Sequence, residues 1–176
     1  QTIREAMSAN PELEQFLTLV TFSGKEGVKY QWRAKHVVKV KDLVQSQFNP
    51  GGMTPLLDAI GKVCTRLERQ IDDDTQVLVT IITDGRENAS TNFTQEEIRI
   101  LIKRLDKDGW VFTYIGANQD AFDEANELGI RNALQYESDK EGTRLMWEKE
   151  RRSRQSFYSH MQTIKSRTQL QDGYFE

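Results

Sequence analysis

Two short stretches set oxygen donors where they could do chemistry. Gly51-Gly52-Met53-Thr54-Pro55 offers a hydroxyl on a glycine-rich loop at the start of a helical pattern. Thr83-Asp84-Gly85-Arg86-Glu87 offers a carboxylate where an apolar run ends, and Gly85 lets another group approach the backbone closely. Hydroxyl and carboxylate oxygens are hard ligands. They suit Mg2+ or Mn2+; Mg2+ takes one or two carboxylates, keeps several waters and leaves a position for another molecule's oxygen. Other chemistries lack their residues. Cys64 falls on an apolar helical stripe and reads as a core thiol, not a nucleophile. His36 and His160 have no Cys or His at ligand spacing, and no Gly-x-x-x-x-Gly-Lys phosphate loop is present. Zinc, a catalytic histidine and a nucleotide loop are not expected.

The elements that must position these loops alternate in period. Gln15–Ser23 is β-branched and aromatic and reads as a strand, and Val28–Val40 holds one or two short edge strands. From Pro55 to Ile71 apolar residues recur every three or four positions, which predicts a helix with Pro55 in its first turn and Thr54 as its cap. Gln76–Thr83 and Trp110–Gly116 are nearly continuous in apolar and β-branched residues, as in strands buried on both faces. Thr94-Gln95-Glu96-Glu97 is a capping box opening a helix to about Asp108. A helix over Gln119–Leu128 closes at Gly129, a short strand follows over Ala133–Glu137, and a polar helix runs from about Asp139 to Ser166. Thr2–Asn10 reads as the end of a helix stopped before Pro11. This rhythm predicts an α/β fold: a three-layer, open, mostly parallel sheet with helices on both faces, Rossmann-like in plan, with function at the carboxyl ends of strands. One domain over residues 1–166 and a tail over 167–176 account for the chain.

Composition narrows the function classes. The 176 residues carry 27 acidic and 24 basic side chains, and no apolar run approaches membrane-spanning length. A weakly acidic chain has no bulk attraction for nucleic acid or an acidic membrane, so neither is an expected partner. A single cysteine fits a reducing compartment such as the cytoplasm.

Gly51–Ile60 (GGMTPLLDAI), followed by a buried strand ending in Ile81–Ser90 (IITDGRENAS) and later by Tyr114–Ala121 (YIGANQDA), resembles a bacterial von Willebrand factor A-type domain. The resemblance spans about Gln15–Gln162. It implies a six-stranded, mostly parallel sheet whose upper edge carries a metal-ion-dependent adhesion site. In that family three loops hold the ion: an Asp-x-Ser-x-Ser loop, a threonine and an aspartate. Thr54 matches the second and Asp84 the third. No aspartate in this sequence is followed two positions later by serine, so the first loop and the strand leading into it are absent from these residues. The resemblance therefore reads the chain as starting after that loop, with another polypeptide or the tail as a second way to fill the gap.

The function implied is a protein-interaction module. The bound ion accepts an Asp or Glu carboxylate from a partner protein, and no bond is made or broken. A Mg-dependent phosphoryl-transfer or hydrolytic enzyme is the alternative reading. Ser23, Gly85, Arg86, Glu87, Asn118 and Asp120 are candidates for the rim of the partner site. Each has a plainer reading: Ser23 as a turn residue, Asp120 as a helix-dipole partner, Arg86 and Glu87 as a solvated pair. Arg151, Arg152 and Arg154 read as a solvated helix face. An unpaired sheet edge would invite dimer formation.

Overall fold

The computed structural model describes residues 13–47, 49, 51–117, 121–163 and 173–176. The expected helix over Thr2–Asn10 lies outside the described residues, as do Asn118 and Asp120. Among the described residues, five strands and four α-helices make an α/β fold: β1 (Phe16–Ser23), β2 (Gly27–His36), α1 (Leu56–Glu68), β3 (Leu78–Thr83), α2 (Gln95–Lys107), β4 (Val111–Ala117), α3 (Ala121–Glu127), β5 (Asn132–Tyr136) and α4 (Lys140–Thr163). Among the described residues the strands form two sheets: β1 and β2 pair antiparallel, and β3, β4 and β5 pair parallel in that order. Where one or two short edge strands were expected over Val28–Val40, one ten-residue strand, Gly27–His36, runs into a 3-10 turn over Val37–Lys39.

The parallel strands are central because their side chains need cover on both faces. Every residue of β4 is buried. Phe112 and Tyr114 join a cluster with Leu56, Ile60 and Cys64 of α1, Ile98 and Ile102 of α2, and Ala121 and Ala125 of α3. Val111 and Ile115 join a second cluster with Met146, Phe157 and Tyr158 of α4. Burial pushes the Cys64 thiol up to about 12, so it packs as a small apolar group. The hairpin and the turn after it reach both clusters: Phe22 packs on the first, which holds Ile81 of β3, and Val37 on the second, which Leu78 of β3 also joins.

Two local expectations change. Helix α1 starts at Leu56 behind Pro55, and no side chain of the preceding loop caps it. Thr54 is not the cap, because two side chains of a distant loop take that role. Arg154 is not on a solvated face. It is 6% exposed, ion-paired to Glu150, and donates to Thr80 Oγ1 at 2.8 Å. Positions 146, 150, 154 and 157 share one side of a helix, and here that side is the buried one.

Candidate functional site

The loop after β3 and the start of α1 are stitched together one bond after another. The Thr54 N–H donates to Asn88 Oδ1 at 2.7 Å, and the Asn88 N–H returns to the Thr54 carbonyl at 3.2 Å. Glu87 turns its carboxylate inward. One oxygen accepts the Leu57 N–H at 2.8 Å and the other accepts the N–H groups of Ala89 and Ser90, each at 2.7 Å. Ser90 Oγ accepts the Asp58 N–H at 2.9 Å. Asp58 in turn accepts the Asn92 and Phe93 N–H groups at 2.9 and 3.1 Å. The Leu57 and Asp58 N–H groups in the first turn of α1, which have no intrahelical partner, are thus satisfied from outside the helix.

The charge states follow from these bonds. Burial alone would raise the Glu87 carboxyl, but the N–H groups of Leu57, Ser90 and Ala89 and the Ser90 hydroxyl outweigh it and hold the group below its usual range. Asp58 is lowered for the same reason: burial opposes ionisation, and the Asn92 side chain with the backbone N–H groups of Thr91, Asn92 and Phe93 outweighs it.

With Glu87, Asn88, Ser90 and Asp58 committed to structure, Thr54 and Asp84 are left at the rim. A Cβ built on Gly85 would sit 2.8 Å from Thr54 Oγ1. The hydroxyl therefore lies against the residue next to Asp84, in a space that only glycine leaves open. Asp84 is exposed. Burial, and then the charge of Asp84, push the Tyr136 hydroxyl above its usual range. Thr83 Oγ1 donates to the Gly85 carbonyl at 2.8 Å and fixes the turn between them.

The end of β1 closes the same rim. The Gly24 N–H donates to the Met53 carbonyl at 2.5 Å, one residue before Thr54. Ser23 is buried and accepts the Glu26 N–H at 3.2 Å, as a turn residue does. Arg86 and Glu87 do not pair with each other; Arg86 Nε bonds Glu124 Oε1 at 3.0 Å and ties the loop to α3.

Asn88, Ser90, Asp58 and Asn92, which build the stitching, match no motif in the sequence. Asp58 carried the one available signal, a carboxylate among the apolar positions of an otherwise buried first turn. Among the described residues no three His, Cys, Asp or Glu side chains converge where a metal could be held. The rim offers one carboxylate and one hydroxyl, both hard oxygens that fit Mg2+ or Mn2+ as part of a set. No protein-family model matches the chain, and no curated protein matches it.

Proposed function

We propose that this chain is a von Willebrand factor A-type interaction module, and that Thr54 and Asp84 are two of the metal-loop ligands of that family. The observation that carries the reading is the contact of Thr54 Oγ1 with the glycine that follows Asp84, held by hydrogen bonds between the two loops. Such a cation would act as a Lewis acid that accepts an Asp or Glu carboxylate from a protein partner.

This chain's residues do the rest. Glu87 and Asn88 keep the two loops in register. Gly85 keeps the space beside the hydroxyl open. Arg86, braced by Glu124, sits beside the rim where a partner's flanking surface would lie. The split into two sheets supports the same reading, since in that family a further strand runs between the positions of β1 and β3. That strand leads into the Asp-x-Ser-x-Ser loop that completes the ligand set. The fuller architecture, a three-layer six-stranded sheet, belongs to this proposal.

The experiment is a Mn2+ titration of the full-length protein, repeated with a carboxylate-bearing peptide on a sensor surface. Peptide binding that requires the metal, is lost in Asp84→Ala and proceeds without turnover is the expected result. Equal binding by Asp84→Ala, or peptide binding unchanged by a chelator, contradicts it.

A further inference from the structure

The β1–β2 hairpin and the segment after it carry charge of opposite sign to the rest of the molecule. Between Gly24 and Gln47, Lys25, Lys29, Arg33, Lys35, Lys39 and Lys41 face two acids, Glu26 and Asp42. Of the chain's 24 bases and 27 acids, that leaves 18 against 25 elsewhere. Five of the six cations are exposed and Lys35 is half-buried. Among the described residues, Lys29 alone of the six has a carboxylate within ion-pair distance, Glu26 at 3.7 Å. Cations elsewhere on the surface do find acids: Arg86 takes Glu124, Arg131 takes Asp106 and Arg144 takes Glu141.

Two of the hairpin cations are held by rings instead. The Arg33 guanidinium carbon stands 4.5 Å from the Tyr30 ring centre, and Lys35 Nζ stands 5.9 Å from the Trp32 ring centre. A ring positions a cation without neutralising it, so the charge stays available to a third group. Arg66 of α1 adds an exposed guanidinium 5.7 Å from the Tyr30 ring. The backbone is bent at these residues. Positions 30 and 33 would face opposite sides of a regular strand, and register shifts on either side of Leu19 bring both against α1. Ala34, between Arg33 and Lys35, takes a φ of 40°, and its N–H donates to Thr18 Oγ1 at 3.0 Å. Such a conformation is uncommon outside glycine, and it sits at the centre of the basic stretch.

We propose that this basic surface docks an acidic segment of a partner protein through its Asp and Glu side chains. Guanidinium and ammonium groups pair with carboxylates. The bulges twist β2 away from strand pairing, so recognition runs through side chains and not through the backbone edge. Two other occupants fit worse. A second copy would bring the same lysines to the same edge and be repelled. A nucleic-acid strand needs open rings for its bases, and cations stand over both Tyr30 and Trp32. Beyond the hairpin its phosphates would meet the acidic remainder of the chain.

The test is fluorescence anisotropy of the full-length protein with a labelled peptide of alternating glutamate and serine. EDTA is present, so that a cation at the rim takes no part. Saturable binding is expected, and raising salt from about 50 to about 300 mM should weaken it by about tenfold or more. Arg33→Glu with Lys35→Glu, and separately Lys39→Glu with Lys41→Glu, should each weaken it by about tenfold. Lys103→Glu with Lys107→Glu makes an equal change of net charge on α2 and should leave binding within about twofold. Lys39 and Lys41 are exposed, so that pair carries the test if thermal melts show the Arg33 pair to be unfolded. The proposal is overturned if the peptide does not saturate, or if the α2 variant weakens binding as much as the hairpin variants. It is equally overturned if a single-stranded oligonucleotide of matched charge binds more tightly through the same cations. Peptide binding that needs Mn2+ and is lost in Asp84→Ala belongs to the rim and overturns it too.

Discussion

Two carboxylate networks in this molecule solve opposite problems. Glu87, in the loop after β3, and Asp58, in the first turn of α1, are satisfied mostly by backbone N–H groups. Glu150 sits 1% exposed under the parallel sheet, and one oxygen takes Arg154 and the Tyr174 hydroxyl together. Among the described residues its second oxygen has no hydrogen-bond partner. The first network shapes a surface by consuming its own polar groups, which leaves Thr54 and Asp84 for outside contacts. The second joins α4, β3 and the chain end through a desolvated ion pair, and a lost partner there leaves a bare charge.

The largest effect should therefore come from splitting the buried pair. Arg154→Leu should destabilise by about 3–5 kcal/mol in urea unfolding, because it strands the Glu150 charge. The double change Glu150→Leu with Arg154→Leu should recover much of that loss. A double variant no more stable than the single would show that the pair is not the source. Next, Asp58→Ala leaves the Asn92 and Phe93 N–H groups without their acceptor and should cost about 1–3 kcal/mol. Asp58 lies outside the proposed ligand set, so any loss of metal affinity should track loop disorder seen in amide exchange.

Acid should separate the networks more gently. Glu87 and Asp58 have folded-state values below their unfolded ones. Their contribution is present above the unfolded carboxylate range, about pH 4, and is lost as pH falls through the depressed values. Glu87→Gln should flatten the acid limb of stability against pH and cost about 1 kcal/mol at neutrality. An unchanged acid limb would contradict the assignment. Smallest of all in stability is Thr54→Val, expected within about 0.5 kcal/mol of the parent since its hydroxyl caps nothing. It should nonetheless lower Mn2+ affinity in the full-length protein.

The parallel strands and their helices were legible because continuous apolar runs, a capping box and Gly129 each act locally. The capping box appears as read, with Thr94 and Glu97 exchanging bonds. The start of α1 was not legible, because its caps come from residues 87 and 90, some thirty positions away in sequence. Arg154 was misread for a related reason: a helix of low overall hydropathy hides a buried polar pair that only the facing strand reveals. The bulges that turn Arg33 toward α1 left no mark in the alternation, since they break the period that would have reported them. Thr54 and Asp84 stand out in the sequence because a Gly51-Gly52 pair shortly precedes the first, Gly85 follows the second, and an apolar strand leads into Asp84.

Paramagnetic broadening tests the central claim most directly. With Mn2+ added to the isotope-labelled full-length protein, amide signals of Gly24, Thr54, Asp84 and Gly85 should vanish first, and Asp84→Ala should restore them. Broadening centred instead on the acidic run Asp72–Asp74, or no selective broadening at all, would contradict the account.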